Sequence, residues 1–142
     1  MSIERVKQLL KEKEGIRLEF KEAKNDLPKS LFETICAMLN REGGDIILGV
    51  KDTGEISGVE SSKMKQMVGD LVNLSNNKEK IDPTFILFPQ TYQIGGKWII
   101  HVQVPSSSQV HKCLNIIYDR SNDGDFKITQ AHQIAQIHNS KR

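Results

Sequence analysis

The segment that most constrains this chain is residues 43–50, Gly-Gly-Asp-Ile-Ile-Leu-Gly-Val. From residue 45 to 50 it does not alternate but is apolar on both faces, the pattern of a strand covered from two sides. Such a strand belongs in the middle of a sheet with helices packed on at least one face. Its surroundings are sufficient for that: 142 residues with 37% hydrophobic content bury about two-thirds of the unfolded surface on folding, enough for one core without a disulfide or structural metal. One domain over residues 1–142 is therefore expected.

The flanking segments read as alternating helices and strands. Residues 2–14 carry Ile3, Val6, Leu9 and Leu10 at helical spacing, with Ser2 as N-cap and Gly15 as the residue that ends the helix. Residues 16–21 alternate strictly, placing Ile16, Leu18 and Phe20 inward and Arg17, Glu19 and Lys21 on the opposite face. Pro28 and Ser30 open a helix through Asn40, with Leu31, Ile35, Met38 and Leu39 inward, and Gly43-Gly44 stops it. Residues 52–55 form a turn from which residues 56–59 pair back. A third helix covers residues 61–74, its Met64 and Met67 serving as core filler. Strands are expected at 84–88, 91–94 and 97–104, the last two joined at Gly95-Gly96, and at 116–118 before a turn at 122–124. Thr129 would cap a final helix carrying Ile134 and Ile137. The sum is an α+β domain.

Several chemistries have no support. The longest apolar runs are too short for a membrane span, and the charged start at residues 1–5 has no signal-peptide character. Cys36 and Cys113 are isolated among apolar residues, as reduced, partly buried thiols of a cytoplasmic protein would be. No phosphate loop is present, and the four histidines lack zinc spacing; His101, inside a strand, reads as a hydrogen-bonded structural residue. Net charge is only +2, so any nucleic-acid contact must come from local placement of cations.

Two constellations remain. Arg17 and Lys21, followed by Lys24 and Lys29, are placed to track a phosphate backbone, with Lys63, Lys65, Lys78 and Lys80 as extensions and Lys112 and Arg120 as cations in the late loops. Aromatic residues are too few for a base-stacking platform of the RRM kind. Glu14 and Glu19, brought together by a turn at Gly15, and Asp52 beyond the central strand would suit Mg²⁺ or Mn²⁺. The alternative for these carboxylates is an ordinary one: Glu19 in an ion-pair ladder with Arg17 and Lys21, and Asp52 at the start of a turn.

Residues 14–21, Glu-Gly-Ile-Arg-Leu-Glu-Phe-Lys, resemble the "E…EFK" opening of the Schlafen AlbA-2 domain. Residues 35–44 are similar to its "AFAN-x-x-GG" helix end, residues 47–54 to its "iGVxDxG" strand and turn, and residues 104–107 and 117–120 to its "VPpS" and "yxR" elements. The resemblance implies an Alb-like α+β fold and a DNA-binding domain at the N-terminus of a longer bacterial transcriptional regulator, with no catalysis or cofactor of its own. It equally implies nucleic acid as partner, DNA ahead of RNA. In animal Schlafen proteins related domains are metal-dependent endoribonucleases using an acidic trio, and Glu14, Glu19 and Asp52 fall on those positions. That is the alternative reading, with Mg²⁺ or Mn²⁺ as cofactor. A dimerisation or protein-interaction module, including a homodimer joined at an exposed sheet edge, is a third.

Overall fold

The computed structural model describes residues 3–142. Its central strand is β2, Gly44–Leu48, flanked by β1, Leu18–Lys21, which runs parallel to it. On the other side β2 pairs antiparallel with β4, Lys97–Val104, and β4 with β3, Gln90–Ile94, giving the order β1-β2-β4-β3. The two-sided apolar run has the expected cause. Ile46 and Leu48 enter a core with α2, Leu31–Asn40, and α3, Ser61–Ser75. Ile47 and Val50 enter a separate cluster with Val6 and Leu9 of α1, Ile3–Leu9.

A second sheet, β5-β6-β7, is made from Lys112–Cys113, Ile116–Ser121 and Gly124–Ile128. α2 lies between the two sheets. Every residue of it except Glu33 is buried, including those on the face expected to meet solvent, and a helix apolar all round is one covered all round. Its end is fixed by Gly43, whose N–H donates to Met38 O at 2.7 Å with φ +75°. A Cβ there would sit 2.4 Å from Val104 O, so only glycine serves. Asn40, fully enclosed, donates to His111 O (2.9 Å) and Tyr118 O (2.8 Å) and accepts from His111 N–H (2.7 Å), tying the helix end to the second sheet. α4, Ala131–Asn139, covers the far side of that sheet through Ile137 on Ile117 and Ile128.

Several local expectations need correction. α1 ends at Leu9 rather than near residue 14, because Lys11-Glu12-Lys13-Glu14 offers no apolar side chain to bury; Lys11 and Glu12 N–H turn back onto Gln8 and Leu9 carbonyls. The expected cap at Ser2 lies outside the described residues. Gly15 does not end a helix: it exchanges hydrogen bonds with Leu18 (3.0 and 3.3 Å) in a tight reversal, leaving Ile16 and Arg17 in a turn before β1. Residues 56–59 pair back without forming a ladder: Val50 bridges Ile56, Ser57 and Gly58 N–H both donate to Gly49 O, and Val59 bridges Trp98. Residues 84–88 form no ladder; Leu87 is buried, its N–H on Ser75 Oγ, while Ile86 and Phe88 face outward. β7 has no counterpart among the expected strands, and the last helix has Gln130, not Thr129, at its N-cap position. The two cysteines are buried free thiols, and burial pushes the Cys36 thiol up. Among the described residues no helix is long and apolar enough to cross a membrane.

Candidate nucleic-acid interface and the acidic pair beside it

β1 is an edge strand, and an edge leaves backbone groups facing outward. Here side chains and the preceding reversal satisfy them. Glu14 Oε2 accepts from Phe20 N–H at 2.8 Å, and Arg120 Nη2 donates to Leu18 O at 3.2 Å. The turn at residues 15–18 thus does what the spacing suggested: it carries Glu14 back alongside β1, next to Glu19.

Arg120 organises this edge. It projects from β6 with its side chain 1% exposed, and its guanidinium contacts are to the first sheet's edge or to β7. Nε donates to Ile16 O (3.0 Å), Nη1 to Asp125 Oδ1 (2.7 Å), and Nη2 to Gly15 O (2.8 Å) and Glu19 Oε1 (2.9 Å). The planar fork suits this fan of acceptors in a way an ammonium would not. Arg120 is therefore not a cation in a late loop but a buried clamp. Glu19 pairs with it rather than joining a ladder with Arg17 and Lys21.

Glu14 is pushed up to about 7, first by burial, then by its hydrogen bond with Glu19 and by the charges of Glu19 and Asp52; the Phe20 N–H opposes the shift. Asp52 sits exposed on its turn, held near the end of α1 by the close approach of Gly54 to Leu10 O. The acidic pair forms; Asp52 joins it only through its charge. Among the described residues no three His, Cys, Asp or Glu side chains stand together as one metal site. With Glu19 held by Arg120 and Glu14 by a backbone N–H, the residues as placed do not fit a three-carboxylate metal centre.

The cations divide into two groups. Lys21 ends β1, and Lys24 and Lys29 lie on the connection from there to α2, so all three stand at the carboxyl ends of the parallel pair β1 and β2. Open sheets receive ligands at that end, and α2 adds the positive end of its dipole. Lys21 is half-buried, its Nζ donating to Ser30 Oγ at 2.8 Å. Lys24 and Lys29 are exposed, the Lys24 carbonyl accepting from Glu60 N–H at 2.7 Å. Arg17, also exposed, is at the opposite end of β1, where its carbonyl accepts from Asp45 N–H at 2.9 Å. His101 is buried with Nε2 on Asp45 Oδ1 (2.7 Å), the structural role its strand position suggested.

The family described as Schlafen, AlbA_2 matches the chain over residues 14–134. Among solved structures, the DIP2311 protein from Corynebacterium diphtheriae is similar over 89% of this chain, with a TM-score of 0.60 at 18% identity; the chain spans 26% of that protein. The solution structure of the N-terminal domain of a putative ATP-dependent DNA helicase RecG-related protein from Nitrosomonas europaea is similar over 72% of this chain and 71% of its own length. Its TM-score is 0.54 and its identity 26%. No curated protein matches.

Proposed function

The chain belongs to the Schlafen AlbA_2 family, and from that premise we propose that it is a DNA-binding domain, the N-terminal part of a longer bacterial transcriptional regulator. The observation that carries this reading is the lysine group at the carboxyl ends of β1 and β2 beside the N-terminus of α2. Lys24 and Lys29 make the phosphate contacts, Lys21 offers its remaining donors, and Arg17 meets the backbone beyond the other end of β1. These contacts position the duplex without reading its sequence. The RecG-related relative, itself an N-terminal domain, supports both the ligand class and the place in a longer chain. Titrating unrelated duplexes into the protein tests the reading. Charge reversal at Lys21 and Lys24 should weaken all of them about equally; unchanged affinity would remove these residues from the footprint.

A second reading, a Mn²⁺- or Mg²⁺-dependent endoribonuclease, is favoured by one observation: Glu14, held on the Phe20 N–H, stands beside Glu19 at the edge of β1. Against it stands the pairing of Glu19 with Arg120. RNA cleavage that requires Mn²⁺ and is abolished in Glu19→Gln would establish it; cleavage surviving EDTA and the substitution would dismiss it.

A further inference from the structure

A cleft of about 860 Å³ opens on the far side of the second sheet, between α4, β6–β7 and the carboxyl end of α2. Its floor follows from strand register. Ile117 pairs with Ile128 and both are covered by Ile137 of α4. One step along the same sheet face, Asp119 pairs with Phe126, a row outside the Ile117–Ile128–Ile137 cluster. Phe126 is left 42% exposed, a bare aromatic ring facing a cavity. Beside it Asp119 is held by the Arg41 guanidinium in a two-pronged ion pair.

The rim is cationic and polar. Arg41, Lys141 and Arg142 line it, with Gln133 and Gln136 along α4. Asp119 is neutralised by Arg41, leaving Glu42 as the remaining carboxylate of the lining against Lys141 and Arg142. Lys141 donates to Leu39 O at 3.2 Å; burial first, then the nearby Arg41 charge, lowers its pKa, and Asp119 opposes the shift. An exposed ring, amide side chains able to meet base edges and flanking cations together match one ligand chemistry, that of an unpaired nucleotide within a strand. A duplex keeps its bases stacked and cannot offer one to Phe126.

We propose that this cleft binds a single-stranded nucleic-acid segment, with one base stacked on Phe126, its edge met by Gln133 and Gln136, and adjacent phosphates at Lys141 and Arg142. The inference rests on the nucleic-acid reading above but concerns a different surface from the lysine group of β1. Anisotropy titrations of the full chain with a short labelled oligothymidylate and with a duplex separate the two. Phe126→Ala should weaken single-strand binding on the order of tenfold and leave duplex binding unchanged. Phe126→Trp should retain affinity, and bound strand should quench the added indole. Charge reversal at Lys141 and Arg142 should lower the single-strand salt slope by about 0.7 for each phosphate that is no longer neutralised. Native single-strand affinity in Phe126→Ala, or an unquenched indole in Phe126→Trp, overturns the cleft assignment even if Lys24 and Lys29 variants fail to bind duplex. Failure of the native chain to bind either ligand at low salt overturns the underlying reading as well.

Discussion

Arg120 Nη2 lies 2.9 Å from Glu19 Oε1, although the two residues are 101 positions apart in the chain. This contact joins the two sheets at the edge of β1 and gives Glu19 its counter-ion. A guanidinium this deeply buried has no water to replace a missing partner, so the clamp and its acceptors stand or fall together.

Arg120→Met should therefore destabilise the domain by about 3–5 kcal/mol, because Glu19 and Asp125 keep their charges without a counter-ion. Arg120→Lys should recover little, since one ammonium cannot reach acceptors spread from Gly15 to Asp125. Urea denaturation measures both. A loss below about 1 kcal/mol for the methionine variant would mean the clamp is incidental.

The acidic pair predicts a pH dependence of definite sign. Glu14 is raised in the folded state from 4.5 to about 7, so between those values the native protein holds a proton that the unfolded chain releases. Its contribution is most favourable at low pH and declines as pH rises through 7. Glu14→Gln removes the titration while keeping an oxygen for Phe20 N–H and gaining an amide donor for Glu19. At pH 8 the variant should be more stable than the native chain by about 1 kcal/mol, a figure reduced for partial solvent screening. Thermal melts at about pH 5.5 and 8 check it; equal shifts at both values would contradict the raised Glu14 pKa.

Asn40→Asp should be more damaging than its isosteric shape suggests. Asn40 Nδ2 is the donor to two carbonyls, His111 O and Tyr118 O. A carboxylate would turn both contacts into repulsions inside the core, costing about 3 kcal/mol or more. Burial against two carbonyls raises the pKa of the new carboxyl, so the expected signature is a fall in melting temperature that shrinks as pH is lowered toward about 4, where the unfolded chain also gains the proton.

What could be read from the sequence was what local pattern encodes. The two-sided apolar run identifies β2 and its central place, and the reversal near Gly15 is enough to put Glu14 beside Glu19. The full burial of α2 is not legible, because the sheet covering its outer face is made of short, polar strands such as Gly124–Ile128, whose residues show no alternation. Arg120 escapes for a related reason. An arginine among Asp119 and Ser121 looks solvated, and nothing nearby in sequence announces acceptors at residues 15–19. The end of α1 is hidden because charged residues at helical spacing have good propensity yet nothing to pack against.

The central claim, that the lysines at the carboxyl ends of β1 and β2 bind a phosphate backbone, is tested most directly by the salt dependence of duplex binding. The logarithm of the affinity should fall linearly with the logarithm of salt concentration, and the slope should drop by about 0.9 for each of Lys24→Gln and Lys29→Gln. Both side chains are exposed, so neither substitution should disturb the fold. A slope unchanged in the double variant would contradict the account and move the nucleic-acid surface elsewhere on the domain.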